Sequence, residues 1–98
     1  MLLGDRATKL NRFQVPVPGA PDIAVEVISP SERTTESLRK VDRYLALGVR
    51  EVWQIHPNAP RQVMVHTQDT VRKVSREAML ETGLLPGFVL SISALFQP

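Results

Sequence analysis

From Asp22 to Ile55 the chain reads as strand, helix, strand, and that order restricts the fold more than any other feature. Ile23, Val25, Val27 and Ile28 are β-branched residues in one short run, and such side chains suit a pleated, packed surface. Period-two alternation puts residues 23, 25 and 27 on one face, with Asp22, Ala24, Glu26 and Ile28 on the other. Pro30, between Ser29 and Ser31, ends the run, because proline cannot donate to a ladder. The next segment carries Leu38, Val41, Tyr44 and Leu45 at helical spacing and stops at Gly48, a residue suited to a helix C-terminus. Thr34 or Thr35 is placed to cap its start, and Glu36 in the first turn favours the positive end of the helix dipole. A second strand runs from Glu51 to Ile55 and closes at Pro57. This is a βαβ unit, so its two strands are expected to be parallel with a right-handed crossover.

After the turn Asn58-Ala59-Pro60, a third strand is expected at Gln62–His66, and Gln68-Asp69-Thr70 turns it into a hairpin with Val71–Val74. Glu77 to Leu80 fits neither period well. Leu85-Pro86-Gly87-Phe88 reads as a turn before a short strand at Val89-Leu90, and Ser91 or Ser93 opens a last helical turn through Leu95 and Phe96. Residues 1–20, with Pro16, Pro18 and Gly19 ahead of Pro21, read as an irregular lead-in holding an extended piece at Phe13 to Val17. The expected fold is α/β (α+β): a mixed sheet of four or five short strands with a βαβ unit, an antiparallel meander and one substantial helix. One helix covers one sheet face. The other, carrying Ile28 and Val52, is expected to lack cover within this chain.

Composition narrows the class of function. A chain of 98 residues makes one small domain that buries roughly 60–65% of its unfolded surface. Cysteine is absent, which excludes disulfides, thiolate metal sites and a cysteine nucleophile and fits a reducing cytoplasm. No signal peptide and no run approaching ~18 apolar residues is present, so a cytoplasmic location without membrane contact is expected. Nine of the twelve basic residues are arginine, which suits bidentate phosphate contact. Those charges are scattered along the chain, with no basic run that would by itself signal nucleic-acid binding.

Glu26 is the residue with the most chemical content. An acid near the end of an apolar strand is either a metal ligand or a solvent-face or arginine-paired side chain. Asp22 shares its strand face but stands ~13 Å away, too far to hold the same ion. Lys40 lies ~7–8 Å along the helix axis past Thr35. Helical side chains lean toward the N-terminus, so its amine can reach the helix start, beside the C-terminal end of the strand. A flank lysine covering apolar surface is the alternative. His56 and His66 have no partners in zinc-ligand spacing. Ser29 and Ser31 form no nucleophile elbow, and no glycine-rich phosphate loop occurs. Trp53 and Tyr44 read as core residues.

The residues Pro21-Asp22, Glu26-Val27-Ile28-Ser29-Pro30-Ser31, Lys40, Tyr44, Gly48-Val49, Trp53 and Leu85-Pro86-Gly87-Phe88 together resemble the Uma family of restriction-endonuclease-like proteins, within the PD-(D/E)XK nuclease superfamily. The resemblance runs from about Gly19 to Phe96. It implies Mg²⁺-dependent hydrolysis of a phosphodiester, with DNA as the partner. Glu26 matches the metal-binding glutamate and is expected to be both metal ligand and catalytic residue. The usual lysine position holds Ile28, and Lys40 matches a lysine moved to the helix. Two departures stand out: His56 replaces a usual aspartate, and the N-terminal half, with the second metal-binding aspartate, is expected to be missing. Residues 21–98 are then the C-terminal portion of the nuclease domain, Asp5 being too near the lead-in to supply that ligand. Weak or absent cleavage is therefore expected from this chain. The alternative is a non-catalytic interaction domain that dimerises through an exposed sheet face or edge.

Overall fold

The computed structural model describes residues 2–3, 19–58 and 60–96. Seven strands and two helices follow in order: β1 (Leu2–Leu3), β2 (Ile23–Val27), α1 (Thr34–Ala46), β3 (Glu51–His56), β4 (Gln62–His66), β5 (Val71–Ser75), β6 (Met79–Glu81), β7 (Val89–Ser91) and α2 (Ile92–Leu95). Five strands form one sheet in the order β1-β2-β3-β4-β5, and β6-β7 make a separate two-stranded ribbon. The β2–β3 pair is parallel and the other pairs are antiparallel. The βαβ unit and the meander are as the residue pattern predicts. The ambiguous segment near Leu80 is a strand, and the lead-in contributes β1. The extended piece expected at Phe13 to Val17, and Asp5, lie outside the described residues.

Local chemistry accounts for the ends of α1. Leu47 caps its C-terminus, Gly48 takes φ of 103°, and the amides of Gly48 and Val49 donate to the carbonyls of Leu45 and Tyr44. That pair of bonds is a Schellman closure, and it needs glycine at the left-handed position. The N-terminus departs from expectation. Arg33 occupies the cap with no side-chain hydrogen bond, and Thr34 is already helical. Ser37 Oγ donates to the Thr34 carbonyl instead. Gly87, at φ of 83°, follows Pro86 in the turn closed by the Phe88 amide on the Leu85 carbonyl, the arrangement that favours proline then glycine.

Each face of the sheet carries a cover, partial on one side, which corrects the expectation of a bare one. On one face α1 packs Val41, Leu45 and the edge of Tyr44 onto Ala24, Val49 and Val52. The Val52 face is therefore the helix-covered face. On the other, Ile23, Trp53, Val63, Val65 and Val74 meet Leu80 and Ile92, with Leu84, Leu85, Leu90 and Phe96 around them. The β6-β7 ribbon and α2 are this second cover. Glu51 ties the layers together, accepting from Trp53 Nε1 at 2.9 Å and from Thr82 Oγ1 at 2.7 Å. Leu38, expected in the helical stripe, is 43% exposed, and Ser37 is buried in the turn it shares.

Candidate active site

The C-terminal end of β2, the turn after it and the side of α1 that carries Lys40 and Tyr44 meet at one junction. Glu26 lies on the α1 side of the sheet, opposite Gln54 of β3 in register. Its Oε1 accepts a 2.5 Å hydrogen bond from Tyr44 Oη. Burial, and then the bond to Glu26 and its negative charge, push the Tyr44 phenol up to about 12. It therefore stays protonated and donating at neutral pH. Lys40 stands four residues before Tyr44, on the same side of the helix, with Cβ atoms ~5–6 Å apart. Its amine does lean to the helix start, but it meets Glu32 at 3.2 Å rather than Glu26. Two adjacent rungs result, Tyr44–Glu26 and Lys40–Glu32, each fastening α1 to the segment before it.

Beside these rungs a groove of about 570 Å³ opens over the uncovered part of the same sheet face. Its floor includes Gln54 and His66, both buried, joined through Oε1 and Nε2 at 2.6 Å. Burial, helped by His56, lowers the His66 pKa below its ordinary 6.5 against an opposing pull from Asp42. Among the described residues two buried side-chain atoms lack a hydrogen-bond partner, Glu32 Oε2 and His56 Nε2, and both residues line this groove. Unpaired buried polar atoms cost about 1–3 kcal/mol each, so the groove is poorly suited to remain apolar and dry. Ile28, where the resemblance expected a lysine, lines the same groove.

The residues present fit a divalent cation in part. Tyr44 takes one oxygen of Glu26 and leaves Oε2 as the oxygen a cation can use. Among the described residues no group of three or more His, Asp or Glu could hold a metal ion. Magnesium commonly takes one or two carboxylates, with phosphate and water completing the shell. Glu26 alone supplies one such ligand.

Of the other residues weighed from sequence, Trp53 is core as expected. Tyr44 is not merely core: its hydroxyl holds Glu26. The signal was available, because Lys40 and Tyr44 share a helix face at a four-residue spacing. Glu32 and the Gln54–His66 pair carry no comparable local signal. No helix among the described residues is long and apolar enough to cross a membrane.

Comparison with known proteins bears on the family and the fold. The family model Uma2, described as "Putative restriction endonuclease", matches residues 3–93. The chain belongs to the Uma2 family. A solved structure described as a "putative nuclease belonging to DUF820" from Anabaena variabilis is similar over 79% of this chain, at 26% identity and a TM-score of 0.67. The match covers 44% of that protein, less than half of its length. No curated protein matches the chain. The Uma2 match and the shared nuclease-like fold bear out the resemblance read from Pro21-Asp22 through Phe88.

Proposed function

We propose that the chain carries part of a Mg²⁺-dependent DNA endonuclease site of the PD-(D/E)XK type, with Glu26 as metal ligand and Lys40 as the cation at the scissile phosphate. The observation that carries this is the pair of rungs at the β2–α1 junction, in a chain of the Uma2 family. Tyr44 orients the Glu26 carboxylate by donating to one of its oxygens. Glu32 holds the Lys40 amine at the helix start, where a phosphate can compete for it, since the lysine side chain is 47% exposed. A bound metal would polarise the phosphate and supply an activated water. Lys40 would then meet the negative charge that develops on phosphate oxygen. One carboxylate holds Mg²⁺ weakly, so cleavage by this chain alone is expected to be slow.

Plasmid nicking in Mg²⁺ tests the assignment. Slow nicking that stops with chelator, and falls by about 100-fold or more in Glu26→Ala and in Lys40→Ala, is the expected result. Weak Mg²⁺ binding by calorimetry should disappear in Glu26→Ala and persist in Lys40→Ala. Nicking that survives both substitutions would sink the assignment.

A second assignment, self-association, has its own observation. Met79 and Val89 are exposed on the outside of the β6-β7 ribbon, beside Phe88 and Leu95. Because this ribbon gathers four exposed large apolar side chains, it is where we place a dimer contact, rather than at the sheet face or edge. Sedimentation giving only monomer at high concentration would remove it.

A further inference from the structure

Basic residues that are scattered in sequence come together at the open end of β4-β5. Arg61 just before β4, Lys73 in β5 and Arg76 just after it line a groove of about 670 Å³. All three are exposed, and Glu77 is the one acid lining the same groove. Among the described residues none of the three is in a salt bridge. The Arg61 guanidinium lies over the Phe96 ring, 5.9 Å from its centroid, so it borders the groove from the ribbon side of the sheet while Lys73 borders it from the Glu26 side. The ring positions the cation without neutralising it. Un-neutralised cations around a concave surface raise the local concentration of a polyanion.

This basic groove adjoins the one beside the β2–α1 junction, for Pro57, Asn58, Pro60 and Gln62 line both. The sheet register gives the distance. Glu26, Gln54, Met64 and Lys73 stand in one row across β2, β3, β4 and β5. Paired residues share a face, and three strand spacings make ~14 Å from Glu26 to Lys73. One strand of a duplex carries a phosphate per ~3.4 Å of axis, so a duplex whose axis follows this row presents about four phosphates of that strand over the span.

We infer that Arg61, Lys73 and Arg76 form a binding site for the phosphodiester backbone of duplex DNA, holding phosphates a few nucleotides from the bond presented to Glu26 and Lys40. The register rests on the nuclease function proposed above; the binding itself rests on charge and shape. Contacts of this kind fix position on the duplex and carry no base preference.

The test is fluorescence anisotropy of the full chain with a short labelled DNA duplex in EDTA, where cleavage plays no part. Binding is followed between about 50 and 200 mM salt. The triple variant Arg61→Ala/Lys73→Ala/Arg76→Ala should lower the slope of log K against log salt by about 2–3, at ~0.9 per phosphate contact, and weaken low-salt binding about tenfold or more. A triple variant with the same charge loss elsewhere, Arg39→Ala/Arg43→Ala/Arg50→Ala, should keep the wild-type slope. The single variants Arg61→Gln and Arg76→Gln, each removing one charge, should each lower the slope by about 0.9, and they serve if the alanine triple misfolds. No measurable wild-type binding, an unchanged groove variant, or equal loss in both alanine triples would overturn the site. Binding lost with the groove while Glu26→Ala leaves nicking intact would retain the site and remove the nuclease assignment. Glu26-dependent nicking with groove-independent binding would do the reverse.

Discussion

The two faces of the five-stranded sheet are built to different rules. Under the β6-β7 ribbon, Ile23, Trp53, Val63, Val65 and Val74 close against Leu80 and Ile92. The acid bordering that face, Glu51, has both carboxylate oxygens bonded. Under α1 the apolar contact is confined to Ala24, Val49, Val52 and their helix partners. Past the helix the same face carries Gln54, His66 and His56, with two polar atoms left unpaired. The difference teaches where stability and chemistry reside. A face whose polar groups are all satisfied adds to stability, whereas a face holding unpaired ones gives some up and keeps groups available to a ligand.

The largest expected effect lies on the closed face. Leu80→Ala should cost about 2–5 kcal/mol in denaturant unfolding, the range for emptying a packed leucine site. A loss under 1 kcal/mol would mean that the ribbon is not part of the core, and the contrast between faces would fail. Tyr44→Phe on the other face should cost less, about 1 kcal/mol, because Glu26 is only partly buried and water can replace the phenol. It should impair metal-dependent nicking more than stability, which separates positioning from packing.

The smallest effect is on pH dependence. His66 has a folded pKa below its ordinary 6.5 because it is buried. The unfolded chain therefore binds the proton more readily, and stability present above about pH 6.5 is lost as pH falls toward the folded value. The thermal midpoint should drop between pH 7 and pH 5.5, and drop less in His66→Gln. Equal slopes in both proteins would show that His66 is not the group responsible.

Much of the fold is legible because its signals are local. Alternation in Ile23–Val27, the helical stripe ending at Gly48 and the Pro86-Gly87 turn each specify their element without distant help. Thr34 misleads as a cap because the helix begins at Thr34 itself, which leaves Arg33 in the capping place with no side-chain hydrogen bond. The supposed bare face misleads for a different reason. Three-residue strands such as β6 and β7 are too short to show a period, yet together they cover a sheet. At the site, Glu26 and Lys40 are visible from strand and helix position. Their actual partners, Tyr44 and Glu32, depend on the angle at which α1 lies across the sheet.

By itself the sequence determined β2 to β5 and α1, the parallel βαβ unit and the Uma2 resemblance, since each is carried by spacing within a short stretch. Only the tertiary structure decided which groups meet. It joined Glu26 to Tyr44 and Lys40 to Glu32, left His56 unpaired, and gathered Arg61, Lys73 and Arg76 at one groove. Hydrogen bonds and charge fields act over a few ångströms of space, and residues far apart in the chain come within that reach only when the sheet and its covers assemble.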